Sequence, residues 1–187
     1  MRLFVGVGIS ERMRQAAAEA AERIRRRLVR AIDARWVDPR DMHLTVRFIG
    51  HVDDDRVPML LTRLVAPVQV PPFDIALERC GVFPASGTVR VIWIGLRSGL
   101  PSLAEMHHEF NRRLAAAGFK AEDRPYSPHL TLARVKRVSG RPAAIREKLD
   151  GVPVPPAPSR IDRAVIFRSH LSQHGARYEA LASVPLA

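Results

Sequence analysis

Two short runs of the chain carry the same three residues, His43-Leu44-Thr45 and His129-Leu130-Thr131. Histidine takes up and releases protons near neutral pH, with an unperturbed pKa of about 6.5. On a strand, residues two apart point to the same face. Each run therefore offers an imidazole beside a hydroxyl. Leu44 and Val46 back the first run, and Leu130 and Leu132 back the second. Two such strands facing one cleft suit an in-line displacement at phosphorus. One neutral imidazole takes a proton from attacking water, and one imidazolium gives a proton to the departing oxygen. The threonine hydroxyls can hold the non-bridging oxygens, where charge builds in the transition state. This set needs no metal and no cofactor.

A single histidine on a half-buried strand is more commonly a hydrogen-bonded structural residue. The repetition changes that balance. With 7 His and 4 Thr in 187 residues, random order gives 7 × 4/187, or about 0.15, His-x-Thr triplets. Two are present, both with Leu in the middle, which lifts the pattern well above a lone motif match.

The elements that must carry these residues repeat as well. Leu3–Ile9 reads as a buried strand. Ser10 is placed to cap a helix running to about Arg30, with Met13, Ala17, Ala20, Ile24 and Leu28 along one side. His43–Phe48 alternates as a strand, and a short helix follows near 58–66. After Pro71-Pro72 comes a strand through Phe73, Ile75 and Leu77. The second half follows the same plan. Strand Val89–Leu96 leads to a helix from Ser102 to about Ala117, ended by Gly118. Strand 128–134, a helix near 142–149 and strand Ile161–Phe167 come next, and a tail strand, Ala176–Pro185, closes the chain. The landmarks keep a nearly constant offset: His43 to His129 is 86 residues, Gly8 to Gly95 is 87, and Pro71 to Pro155 is 84. The expected fold is α+β, one domain over 1–187 with two internal repeats at roughly 1–85 and 86–170. Neither repeat holds enough core to stand alone, so two packed sheets with a cleft between them are expected.

Bulk properties fit this frame. The net charge is +11, from 30 Lys+Arg against 19 Asp+Glu. That balance suits a polyanion such as RNA. It equally suits a solvated helix face, since Arg12, Arg14, Arg23, Arg25, Arg26, Arg27 and Arg30 all fall on the first helix, or a generally Arg-rich chain. Cys80 is the only cysteine, so no internal disulfide forms, as in a reducing cytosol. No apolar run approaches the roughly 18 residues of a membrane span, and the first residues read as a strand rather than a leader. A cytoplasmic monomer without a membrane partner is expected.

At the two motifs the chain resembles the 2H phosphoesterase superfamily, and within it the RNA 2′,3′-cyclic phosphodiesterases, historically called 2′-5′ RNA ligases. The likeness covers nearly the whole chain. It includes Met1-Arg2-Leu3-Phe4-Val5, Arg35-Trp36-Val37, Phe48-Ile49-Gly50, Gly81-Val82-Phe83-Pro84, Pro128 and Ala133-Arg134. The resemblance implies a bilobal fold with two pseudo-twofold-related lobes. It also implies metal-free opening of RNA 2′,3′-cyclic phosphates, or of small cyclic nucleotides, to a 2′-phosphate by breaking the bond to O3′. It gives His43 the role of general acid and His129 that of general base, a distinction the sequence itself does not make. It places Phe48 and Arg134 on either side of the terminal base, where an aromatic face and a guanidinium plane accept any base. Plainer readings are core packing for Phe48 and a solvated strand end for Arg134.

Other candidates are weaker. His107-His108 sits on a predicted helix, where adjacent residues diverge by about 100°, so a solvated helix face is expected over a metal site. His170 and His174 fall in an expected loop, 169–175. His51 is expected to face solvent, and Cys80 has no catalytic neighbours in sequence. Arg124 and Tyr126 precede the second motif and are within reach of a cleft mouth. Gly6-Val7-Gly8 lacks the remaining features of a phosphate loop. Competing functions are the reverse ligation of RNA through a 2′-5′ linkage, a sister activity on another cyclic phosphate such as ADP-ribose 1″,2″-cyclic phosphate, and a non-catalytic RNA-binding module.

Overall fold

A computed structural model of the chain describes residues 1–122, 124–172 and 175–187, with the side chains of 171, 172 and 175 left aside. The strands and helices are β1 (Arg2–Val7), α1 (Glu11–Leu28), β2 (Ile32–Trp36), β3 (Leu44–His51), α2 (Val57–Leu64), β4 (Phe73–Phe83), β5 (Val91–Ser98), α3 (Leu100–Ala116), β6 (Leu130–Val138), α4 (Pro142–Leu149), β7 (Pro158–Ile161), β8 (Arg163–Ser172) and β9 (Gly175–Pro185). The class is α+β, as expected. Among the described residues no helix is long and apolar enough to cross a membrane.

The two packed sheets of the sequence reading turn out to be one curled sheet of nine strands, ordered β7-β4-β5-β6-β3-β1-β8-β9, with β2 beside β6. All pairings between these strands are antiparallel. Among the described residues the two halves of the sheet join at one pair, Leu44 opposite Leu130. Neither half is built by one half of the chain. β4 leaves the first repeat to lie between β5 and β7, and β8 leaves the second to lie on β1. The helices cross over too. α1 packs on β6, β7 and α4, whereas α3 packs on β3 and α2.

Local chemistry explains these elements. Ser10 caps α1, its Oγ accepting the Met13 N–H at 3.2 Å, which satisfies one of the donors a helix start leaves open. The Ser10 N–H donates to Ser159 Oγ at 2.8 Å, so the same residue ties α1 to β7. The buried side of α1 is Met13, Ala16, Ala17, Ala20, Ala21, Ile24 and Leu28, a stripe at helical spacing. Arginines on its outer side act as clamps as well as solvated charges. Arg23 donates to Pro153 O at 3.3 Å and Arg27 to Lys148 O at 3.2 Å.

Three differences from the sequence reading have physical causes. α3 starts at Leu100, because Gly99 takes the left-handed conformation (φ 78°) that lets the chain turn directly from β5 into the helix. β2 was not anticipated; its Ile32, Ala34 and Trp36 are only half buried, and its partner β6 lies about a hundred residues away. His170 lies in β8 rather than in a loop, paired with Arg177 and hydrogen-bonded to Glu179 at 2.8 Å. His174 is outside the described residues.

One close approach in this sheet can be tested. Gly81 on β4 faces Trp93 on β5, and a Cβ at position 81 would stand 2.4 Å from the indole. Gly81→Ala should therefore overpack the pair and destabilise the protein by about 1–3 kcal/mol. A denaturant midpoint equal to the wild type would show that the indole does not rest on this glycine.

Candidate active site

His43 and His129 stand one residue ahead of β3 and β6, immediately before the Leu44–Leu130 pair that joins the sheet. The antiparallel sense at that pair sets each imidazole beside the other run's threonine and makes the two histidines diagonal neighbours. Diagonal side chains across such a pair stand roughly 7–8 Å apart, which leaves room for one phosphoryl group between them. Both rings are held in the same way. His43 Nδ1 lies 2.8 Å from Asp41 O, and His129 Nδ1 lies 2.7 Å from Ser127 O. A carbonyl only accepts, so Nδ1 carries the proton in each ring and Nε2 is the atom left to do chemistry. Thr45 Oγ1 lies 3.3 Å from His43 Nε2.

Simple alternation would turn Phe48 and Arg134 away from this face, since each is three residues past a threonine. Bulges bring them back. On β3, Thr45 pairs with Gly6 and Arg47 with Val5, which leaves Val46 as an extra residue. On β6, Thr131 pairs with Trp93 and Ala133 with Ile92, which leaves Leu132 extra. One extra residue restores the parity, so Phe48 and Arg134 share the face of the histidines and threonines. Residues 44, 45, 47 and 48 thus hold in β3 the places that 130, 131, 133 and 134 hold in β6, an offset of 86 throughout. The burial pattern is the same in both runs: Leu buried, Thr half-buried, two residues buried, then Phe48 or Arg134 exposed.

All six residues singled out by the motifs and the resemblance line one cleft of about 650 Å³: His43, Thr45, Phe48, His129, Thr131 and Arg134. Its rim adds Arg2 and Arg124. Aromatic rings wall both imidazoles. Phe4 stacks on His43 with centroids 4.8 Å apart, and Tyr178 meets it edge-on at 4.7 Å. Phe83 meets His129 edge-on at 4.9 Å, with Trp93 behind. Gly6 permits the first wall. A Cβ there would stand 3.0 Å from Leu44 O and 3.2 Å from the Phe4 ring.

Burial pushes both imidazoles below the ordinary histidine value, and the Arg134 cation adds to the effect. The carbonyls on Nδ1 oppose it. Burial also raises the Asp41 carboxyl and the Tyr178 hydroxyl. The cleft by itself therefore favours two neutral imidazoles under a positive rim, a setting in which an arriving anion restores charge to one of them.

The structure brings the two histidines, the two threonines, Phe48 and Arg134 to one cleft, as the sequence reading expects of them. Sequence reasoning missed Tyr178, which reaches His43 from β9, because nothing local marks a contact between residues so far apart in the chain. It also set His107 on a solvated face. His107 is buried, and its Nδ1 lies 2.8 Å from Val46 O. His108 is the exposed member of that pair. Arg124 does reach the cleft; Tyr126 instead donates its hydroxyl to Thr45 O at 3.0 Å. His51 is exposed, and burial raises the Cys80 thiol to about 11, away from thiolate chemistry.

Known proteins resemble this chain in sequence and in fold. The family described as the 2′-5′ RNA ligase superfamily matches residues 13–173. The RNA 2′,3′-cyclic phosphodiesterase of Thermotoga maritima is 29% identical over 182 residues, covering 97% of this chain and 93% of that protein. The one from Methanocaldococcus jannaschii is 33% identical over 141 residues, covering 75% of each. Among solved structures, the protein TT0787 of Thermus thermophilus superposes with a TM-score of 0.75 at 27% identity, covering 99% of this chain and 97% of that one.

The lowered imidazole values carry a sign for stability. Each ring binds a proton less readily folded than unfolded, so the unfolded chain gains more protons on acidification. Stability should fall as the pH drops through about 6.5 and below. Replacing His43 and His129 together by Gln should shrink that loss between pH 7 and 5 in denaturant titrations. An unchanged pH dependence would mean that neither ring is depressed.

Proposed function

We propose, for a chain that belongs to the 2′-5′ RNA ligase superfamily, one main reaction: hydrolysis of terminal 2′,3′-cyclic phosphates on RNA to 2′-phosphates, as its curated relatives are named for RNA 2′,3′-cyclic phosphodiesterase activity. The observation that carries this reading is the pair of Nδ1-anchored histidines, each beside a threonine, on one cleft. Water attacks phosphorus, and His129 Nε2 takes its proton. The P–O3′ bond breaks opposite the new bond, and His43 Nε2 delivers a proton to O3′. Thr45 and Thr131 donate to the non-bridging oxygens as their charge rises. The phosphate's own negative charge favours the imidazolium form of His43, which burial alone disfavours.

The division of labour between the histidines rests on the family resemblance, since both rings are anchored alike. Phe48 and Arg134 clasp the terminal base, one from each half of the sheet, with little preference among bases. Two proton carriers account for both proton transfers, so no metal is assigned a step. The reverse reaction, 2′-5′ joining, uses the same groups; water at about 55 M outcompetes an RNA hydroxyl unless that hydroxyl is held in place, so ligation is minor. The interleaved halves favour reading 1–187 as a single domain built from two repeats, and we place it in the cytoplasm as a monomer.

The test is a short RNA ending in a 2′,3′-cyclic phosphate, incubated with excess EDTA. The expected product carries a 2′-phosphate, and EDTA leaves the rate unchanged. Exclusive 3′-phosphate would reverse the assigned direction of cleavage, and activity lost to EDTA and restored by zinc would overturn the metal-free step. No turnover of RNA, with turnover of ADP-ribose 1″,2″-cyclic phosphate, would move the substrate to the sister class. His43→Ala and His129→Ala should each lower turnover by about 10²–10⁴-fold with the fold retained. Near-normal rates in either would sink the two-histidine mechanism.

A further inference from the structure

The two bulges that turn Phe48 and Arg134 into the cleft are matched in position but not in support. On β6, the carbonyl of the extra residue, Leu132 O, accepts the Val37 N–H at 2.8 Å, where the chain leaves β2. β3 has no such neighbour. It pairs with β6 at Leu44 alone, so beyond that point its second edge has no strand partner among the described residues. The equivalent carbonyl, Val46 O, is taken by His107 Nδ1 at 2.8 Å, and the one before it, Thr45 O, by the Tyr126 hydroxyl at 3.0 Å. The two side chains brace each other, with centroids 4.4 Å apart and planes 7° from parallel. His107 is 9% exposed, so water does not readily replace it. A buried carbonyl without a donor would pull the strand toward regular pairing. Regular pairing on β3 sends Phe48 to the opposite face.

We propose that His107 and Tyr126 are positioning residues for base recognition: they hold the β3 bulge in place of a strand, and through it they keep Phe48 in the cleft. Neither touches substrate. The inference rests on the reading of Phe48 as a base contact, and it adds two residues that no motif marks. Arg47, the residue after the bulge, supports the same segment from behind. It is 7% exposed, donates to Lys120 O at 2.7 Å and to Asn111 Oδ1 at 3.0 Å, and so fixes the loop that carries Tyr126.

Calorimetric binding tests this without turnover, with adenosine 2′-monophosphate as the base-bearing probe and inorganic phosphate as the base-free one. Tyr126→Phe keeps the stack on His107 and removes only the hydroxyl. His107→Leu removes the donor, and His107→Asn keeps an N–H near the place of Nδ1. Tyr126→Phe and His107→Leu should weaken nucleotide binding about fivefold or more and leave phosphate binding within about twofold, given that a stacked base contributes on that scale. His107→Asn should recover most of the loss. In a Phe48→Ala background the same substitutions should cost nothing further, because their effect passes through Phe48. Equal losses for both probes, additive losses on Phe48→Ala, or a wild type that binds nucleotide no better than phosphate would overturn the proposal. Cyclic-phosphate turnover followed on the same samples separates the two readings. A wild type that prefers the nucleotide but turns nothing over would overturn the catalytic reading and leave the positioning role intact.

Discussion

The pairing of Leu44 with Leu130 is where the two halves of the sheet meet, and the cleft inherits its geometry from that contact. Both leucines are buried, and each is the middle residue of a His-Leu-Thr run. Moving one strand along the other by a single residue would break the diagonal that sets the two imidazoles across the cleft, and it would turn one run's hydroxyl and ring away from it. The rest of the fold guards this register. β1 and β5 flank the joined strands on their outer sides, the two bulges sit at matching places, and the aromatic walls fix the rings from behind. Anchoring both Nδ1 atoms to main-chain carbonyls ties the rings' orientation to the backbone itself.

The local part of this was legible in the sequence. A His-x-Thr run on a strand needs only a period of two, and the apolar stripe of α1 needs only a period of 3.6, so both could be read from neighbours in the chain. What sequence periodicity could not supply was the reason Phe48 and Arg134 face the histidines. Strict alternation denies it, and only the family resemblance pointed to them. The bulges at Val46 and Leu132 leave no sequence signature here, because both residues are apolar and buried like those around them. His107 was misplaced for a related reason. Reasoning about a helix face sees the helix, whereas the partner of His107 is a carbonyl 61 residues away. Tyr178 and β2 escaped because their positions are set by strands far off in the chain.

The charge reading divides along similar lines. Several arginines on α1 hold carbonyls near α4 or glutamates one turn away, and so contribute to packing and to solvated pairs of small net effect. The cations gathered at the cleft are Arg2, Arg124 and Arg134, with Arg134 close enough to depress both imidazoles. An overall +11 therefore says less about the cleft than the arginines that line it.

The crossing of α1 onto β6, β7 and α4 bears on the order in which the protein can be made. α1 ends at residue 28, but the surface that covers Met13, Ile24 and Leu28 is not complete until the ribosome has passed β7, which ends at Ile161. At about 5–20 residues per second, that leaves an apolar stripe open for on the order of ten seconds in each round of synthesis. Arg23 and Arg27 keep that side of the helix charged until their partners at Pro153 and Lys148 have been made.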